Sequence, residues 1–263
     1  MLTDNMTQFI RGLPGEDLDV LQLNKAVTAI KPAQHNAICI TVADESTLQC
    51  QHVISTLPMT CLRTLDIDEC IDFEQRNAIN ILQVEPAVKI GVKFHTAWWK
   101  EELNIEGGQS RTDLSLANVV YPSSNSTTLI ATYTSSQNAL VIGSLISSGA
   151  VADQVLKKLV LRDLAVLHNV ECSTLEKQYK SHFAFDWSHN PLSRGMNSHI
   201  FAVHLVTDVL VKGAWASFGP GQFSTLFHAL TRPAAGGRLH FAGEAASIRH
   251  SSVSPHSYYV PCV

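Results

Sequence analysis

The sequence predicts a mixed α/β (α+β) protein in which a sheet-rich middle is flanked by two pieces of a smaller α/β unit. Three observations carry that reading. Segments rich in β-branched residues recur between residues 24 and 133 and return near residue 180. One long stretch, residues 150–170, has apolar residues at near-helical spacing. Near the carboxyl end, the short apolar run Leu239-His240-Phe241-Ala242 opens directly onto Gly243-Glu244 and a row of small residues, the pattern of a strand running into a tight turn.

In chain order, NKAVTAI (Asn24 to Ile30), AICITV (Ala37 to Val42) and LQCQHVIS (Leu48 to Ser55) are separated by the polar breaks KPAQHN and ADES, and predict a three-stranded meander. Pro58 ends its last strand. EPAVKIGVKFHTAWW (Glu85 to Trp99) predicts a further strand, with Val88, Ile90, Val92 and Phe94 alternating against Lys89, Gly91 and Lys93. NVVY (Asn118 to Tyr121) and TLIATY (Thr128 to Tyr133) add two more, with IEGGQSRTD and PSSNSTT as loops, so the middle forms an antiparallel or mixed sheet. In the helix predicted over Ala150 to Val170, Val151, Val155, Leu156, Leu159, Leu161, Leu164 and Leu167 form the apolar face; Asp153, Lys157, Lys158, Arg162 and Asp163 lie largely opposite. EKQYKSHFAF (Glu176 to Phe185) returns as a strand toward Trp187. FGPGQF (Phe218 to Phe223) is a loop, followed by a short helix over Thr225 to Leu230.

Composition excludes several classes. The 263 residues are 45% hydrophobic, enough for a sizeable core. A net charge of -4 with no basic run leaves no electrostatic footprint for nucleic acid. The longest apolar runs, Asn138 to Ile146 and His199 to Val211, are too short to span a bilayer, so a soluble protein is expected. Six scattered cysteines without a C-x-x-C pair argue for reduced thiols and against a zinc site. The first residues lack the charged start and apolar core of a signal peptide, which makes the cytoplasm the default location.

The turn at Gly243 has two physical readings. Glycine lets the backbone approach a ligand closely and take positive φ, with Glu244 offering a carboxylate to a ribose or ribityl hydroxyl. Alternatively, it is an ordinary strand-to-helix junction with Glu244 in the first helical turn, where the helix dipole favours an acid. Likewise, a strand lysine such as Lys89 is by itself a solvated side chain, and a tryptophan such as Trp187 is by itself core.

Taken in order, several segments resemble the flavin-dependent amine oxidase family, which includes monoamine oxidases and fungal L-amino-acid-oxidase-like enzymes; the resemblance is to the carboxy-terminal part. NKAVTAI is similar to the strand whose valine, here Val27, lies against the adenine side of FAD. QHVISTLP resembles the family's V-I-x-T-x-P strand and turn. EPAVKIGVKFHTAWW looks like the strand carrying the active-site lysine, here Lys89. Trp187 with NPLSRG resembles the tryptophan turn beside the isoalloxazine, and Trp215 in GAWASFGPG matches an aromatic-cage position that orients the amine. RPAAGGRLHFAGEAAS resembles the turn that lies over the ribityl and pyrophosphate portion of FAD, which places Gly243, Glu244 and Ala245 at the cofactor. The resemblance implies oxidation of the C–N bond of an amine or amino acid to an imine, with O2 as electron acceptor and hydrogen peroxide released. Ala214 stands where some relatives carry a cysteine bonded to FAD, so the resemblance implies noncovalent FAD.

The sequence also departs from the family. It contains no strand-G-x-G-x-x-G-helix unit, the phosphate-binding part of the fold. The 18-residue stretch Met196 to Gly213 separates SRG from AWASFGPG, and its removal joins them without a seam; it reads as a retained intron or as a genuine loop insertion. SSVSPHSYYVPCV, residues 251–263, lacks the helical periodicity of the family at that place. The expected domains are therefore residues 1–58 and 236–263 as a partial FAD-binding domain lacking its first βαβ unit, and residues 59–235 as a mixed-sheet substrate domain with helices on one face. Little stably bound FAD is expected. A noncatalytic remnant or binding module is the alternative, and an interaction protein using the apolar HIFAVHLV stretch is a third reading.

Overall fold

The computed structural model describes residues 22, 24–146, 149–189 and 215–247. Its first element is an antiparallel meander of β1 (Val27–Ala33), β2 (Ala37–Val42) and β3 (Thr47–Cys50). β1 runs three residues further than its sequence pattern suggests, because the β1–β2 connection is a tight turn with His35 and Asn36 both at positive φ. The third segment of the expected meander divides in two. After Cys50 the chain leaves the meander, and β4 (Val53–Ser55) pairs in parallel with β12 (Leu239–Phe241). Arg238 drives the departure: its guanidinium donates to the Gln51 carbonyl, 3.3 Å, and its own carbonyl accepts from Val53 N–H, 2.8 Å.

The middle of the chain is a five-stranded sheet in the order β10-β6-β9-β8-β7, built from β6 (Ala87–Phe94), β7 (Gly108–Arg111), β8 (Asn118–Tyr121), β9 (Thr128–Ser135) and β10 (Tyr179–Asp186). Every neighbouring pair is antiparallel, so of the antiparallel or mixed sheet expected in the middle of the chain the antiparallel form is found and the mixed sheet is not. Short connections and one returning edge strand make this possible without parallel crossovers. The alternation in β6 works as read: Val88, Ile90, Val92 and Phe94 are buried, while Lys89, Gly91 and Lys93 face the other way. The strand stops at Phe94. Trp98 and Trp99 lie in a short helix, α3 (Trp98–Glu101, the third helix in chain order among the described residues), wholly buried and set edge-on to the Phe94 ring.

Three further helices cover the inner face of this sheet: α4 (Ser136–Ile146), α5 (Ala150–His168) and α6 (Cys172–Gln178). In α5 the buried residues are Leu156, Val160, Leu161, Asp163, Leu164 and Ala165, while Val151 is 81% exposed. The helix is thus rotated from the apolar face read in the sequence. Asp163, placed opposite that face, is buried, and its Oδ1 accepts from Arg162 Nε and Nη2 at 2.9 and 2.7 Å. Residues 176–178 belong to α6 rather than to the returning strand. At the end of α5, His168 Nδ1 lies 2.7 Å from the Leu164 carbonyl and its Nε2 lies 2.6 Å from Tyr121 Oη, which in turn meets Ser110 Oγ at 3.0 Å. A carbonyl only accepts, so Nδ1 carries the proton and Nε2 accepts from the phenol. Burial pushes the His168 imidazole below its ordinary pKa.

A second hydrophobic core joins Ile30 and Ile38 of the meander to α1 (Met59–Leu62), α2 (Phe73–Ile81), α7 (Gln222–Thr231) and β12. A reciprocal capping box between Asp72 and Gln75 starts α2. Arg63 closes its far end, its guanidinium donating to the carbonyls of Ile79 and Leu82. Residues 59–82 and 216–234, on the sequence's reading part of the substrate domain, pack in this core with Leu239 and Phe241. Between the two cores, β5 (Gln83–Glu85) pairs with β11 (Trp215–Ser217) and passes through Pro86 straight into β6.

Candidate functional site

Lys89 stands on the face of the five-stranded sheet turned away from the core that α4, α5 and α6 cover. Its register partners are Tyr133 on β9 and Phe185 on β10, so an aromatic residue flanks it on each side. Period-two alternation along β10 brings Phe183 and Phe185 to the same face. Their rings stack at 6.4 Å, and Trp187 continues the row with its ring 4.6 Å from that of Phe185 in an edge-on arrangement. With Gly91 and Ile130, these residues line a groove of about 410 Å³ that is almost wholly apolar apart from the Lys89 ammonium. Gly91 needs no unusual backbone angle. A Cβ added there would meet only ordinary neighbours, Leu129 O at 3.9 Å and Thr128 Cγ2 at 4.0 Å, so the missing side chain leaves groove space open.

The lip of the groove is fixed from below. Trp187 N–H donates to the Ala87 carbonyl, 3.0 Å. The buried Asp186 accepts from Ser188 N–H at 2.8 Å through Oδ1, and its Oδ2 meets His189 Nδ1. Asp186 lies under α4 at Gly143, where an added Cβ would stand 2.5 Å from Oδ2. Only the absence of a side chain lets helix and carboxylate approach that closely.

A second hollow, about 130 Å³, is lined by Thr56, Pro58, Met59, Val84, Trp215, Ala216, Ala242, Glu244 and Ala245 among others. It forms where parallel β4 and β12 end side by side: Ala242 N–H donates to Ser55 O at 2.9 Å, and the next residue, Gly243, turns the chain with φ 110. That φ is open to glycine and strained for other residues, and the glycine Cα passes close to the Thr56 carbonyl, which a Cβ would reach at 3.7 Å. Glu244 to Ala246 then form one 3₁₀ turn. Glu244 Oε2 accepts the Ala216 N–H at 3.0 Å, binding the turn to β11. The turn is thus a strand-to-helix junction with Glu244 in the first turn of a short 3₁₀ segment, built on a positive φ at Gly243.

Of the residues singled out in the sequence, Lys89 and Trp187 meet in the groove, and Trp215, Glu244 and Ala245 meet in the hollow, with Gly243 at its turn. The two hollows are distinct. They are joined through β5 and Pro86, with Trp215 paired to Glu85 only four residues before Lys89. Val27 lines neither; it lies half-buried at the start of β1 and packs toward the second core. Sequence reading missed Tyr133, Phe183, Phe185, Gly91, Asp186 and His189. The alternation of aromatics in FAFDW was the one signal that could have placed a row of rings beside Trp187. Ala214, the NPLSRG loop, residues 196–213 and residues 251–263 lie outside the described residues. Among the described residues no group of three His, Cys, Asp or Glu could hold a metal, and no helix is long and apolar enough to cross a membrane.

Comparison with known proteins gives a consistent result. Residues 1–256 match the family model described as flavin containing amine oxidoreductase. The L-amino-acid oxidase 4 of Hebeloma cylindrosporum is 38% identical over 96% of this chain and 40% of its own length. An L-amino-acid oxidase of Siganus canaliculatus is 27% identical over 89% of the chain and 41% of its own. Among solved structures, a putrescine oxidase bound to putrescine superposes with a TM-score of 0.68 at 16% identity, covering 90% of this chain and 47% of that one. The cyclohexylamine oxidase of Brevibacterium oxydans IH-35A gives 0.61 at 15%, covering 84% and 42%. At those identities the superpositions speak for the fold alone. The chain spans about two fifths of the length of these oxidases.

Proposed function

The chain belongs to the flavin-containing amine oxidoreductase family, and on that footing we propose that it supplies the substrate-side sheet and the glycine–glutamate turn of an FAD-dependent oxidase. The reaction is oxidation of an amine or amino acid at its C–N bond to an imine, with O2 as the final acceptor and hydrogen peroxide as product. One observation carries the reading above all: among the described residues, the apolar, aromatic-walled groove over the sheet holds a single cation, Lys89.

Two features suit a flavin. The groove offers flat aromatic walls to a planar ring, and the turn at Gly243, at a φ of 110, presents bare backbone beside the second hollow. Lys89, Phe185 and Trp187 would hold the ring end noncovalently; Gly243, Glu244 and Ala245 would hold the chain that follows it, with Val27 toward the adenine side. The flavin, when bound, supplies the two-electron acceptor. The protein's own contribution is positional. The Lys89 ammonium, with three N–H donors and no acceptor, holds a water at the mouth of the groove. The apolar walls favour a neutral amine over its ammonium form, since an unpaired charge is costly there. Glu244 anchors β11 and so keeps the Trp215 ring in place to orient the amine. We assign residues 87–186 to the substrate unit and residues 27–84 with 215–247 to the cofactor unit, along the two cores.

The second reading, a binding module without chemistry, is favoured by the use of Glu244's carboxylate inside the protein. Peroxide release with L-amino acids and aryl-alkyl amines, measured with added FAD, separates the two. Peroxide that disappears in Lys89→Met supports the oxidase; no peroxide with any amine, despite bound FAD, leaves the binding module.

A further inference from the structure

We propose that Tyr133 is a positioning residue for Lys89: its ring holds the ammonium over the groove by a cation–π contact. Lys89 Nζ lies 4.4 Å from the Tyr133 ring centroid. The contact is set by register, because Lys89 and Tyr133 stand directly opposite each other on β6 and β9 and on the same face. No carboxylate forms a salt bridge with Lys89 among the described residues, although ion pairs secure Lys25 and Lys31 elsewhere. The ring is thus the structure's one provision for this charge among the described side chains.

The geometry explains why a ring serves here better than an acid. A carboxylate beside Lys89 would fix the ammonium as well, but it would compete with any water or substrate for the three N–H donors. An aromatic face attracts the cation through its quadrupole and leaves those donors pointing outward. Burial raises the Tyr133 phenol above its ordinary pKa, so the ring stays neutral beneath the cation. Lys93 provides the internal contrast. It lies four residues along the same face, is exposed, and has Thr128 and Ser181 as register partners in place of rings.

The proposal rests on the functional reading of Lys89 for its importance, though not for its geometry, and the test separates the two. Lysines are converted to ¹³C-dimethyl-lysines, which keep their charge, and the Lys89 signal is assigned with Lys89→Arg. The ring current of Tyr133 moves the Lys89 signal upfield of that of Lys93. Tyr133→Phe retains the shift, and Tyr133→Leu moves the signal to the Lys93 position, reflecting a roughly two- to five-fold loss of the seated rotamer. Near-ultraviolet circular dichroism from the Trp98–Trp99 pair reports whether each variant is folded. A Lys89 signal that coincides with that of Lys93 in the unmutated protein overturns the proposal without need of any variant. So does a shift that survives Tyr133→Leu in folded protein. If the shift behaves as stated while Lys89→Met leaves amine oxidation unchanged, the positioning stands and the functional reading of Lys89 fails.

Discussion

Replacing Gly91 with valine separates stability from binding more cleanly than any other change in the groove. Gly91 lies within β6 at a register shift, where the partner strand skips Ala131, and a Cβ there has its nearest neighbours at 3.9 and 4.0 Å. Those are ordinary van der Waals contacts, so the Cβ itself meets no clash. Glycine inside a strand costs roughly 0.5–1 kcal/mol relative to alanine, and valine suits a strand better still. Gly91→Val is therefore expected to stabilise the fold by about 1 kcal/mol, a rise of about 2–4 °C in the melting temperature for a chain of this size. The same isopropyl group enters the groove between Lys89 and Ile130 and covers the surface a planar ring would use. Titration with lumiflavin, which carries the ring without the nucleotide, is expected to show affinity reduced by about tenfold, equivalent to about 1.4 kcal/mol. Urea denaturation followed by tryptophan fluorescence gives the stability arm. A variant that loses both stability and binding shows that the glycine is needed for the strand itself. One that gains stability and binds as before shows that the groove is not the ring's site.

The other predictions follow from single contacts. His168 is held neutral, with a folded-state pKa below the ordinary 6.5, so its contribution is complete above pH 6.5 and is lost as pH falls toward the folded value. Unfolding free energies are expected to drop by up to about 1.4 kcal/mol per pH unit in that window, and His168→Phe flattens the profile. Gly143→Ala drives a methyl to 2.5 Å from Asp186 Oδ2 and is expected to cost about 1–3 kcal/mol. Adding Asp186→Ala recovers part of that loss, and additive losses in the double-mutant cycle would show that the two do not couple. The 263-residue chain purified without added cofactor is expected to show little visible flavin absorbance, since its sequence has no G-x-G-x-x-G turn to cradle the pyrophosphate; a stoichiometric flavin band refutes this.

What the sequence made legible follows from what is local. The period-two pattern of Val88, Ile90, Val92 and Phe94 located the central strand and put Lys89 on the face opposite the core, because side-chain direction in a strand depends only on parity. The glycine–glutamate turn was legible because positive φ and a following acid are short-range requirements. Pairing partners were not. β4 could not be told from the meander, since its departure depends on Arg238, far along the chain. Tyr133 and Phe185 looked like ordinary strand aromatics until register set them either side of Lys89. The rotation of α5 was misread for a similar reason: Val151 and Val155 fit a helical apolar stripe, but the helix turns a neighbouring stripe inward and takes Asp163 with it. Packing, rather than spacing, selects among overlapping stripes.

The groove's aromatic wall stands on β10, which is an edge of the five-stranded sheet among the described strands. An edge offers unpaired N–H and C=O groups to any passing strand, and natural sheets usually guard it with charge. Here Phe183, 71% exposed, sits on that edge beside Phe185. The surface suited to grip a flat ring is thus also one open to misassembly. A ligand lying across Phe185 and Trp187 would do a second service by shielding it, so that solubility and occupancy rise and fall together.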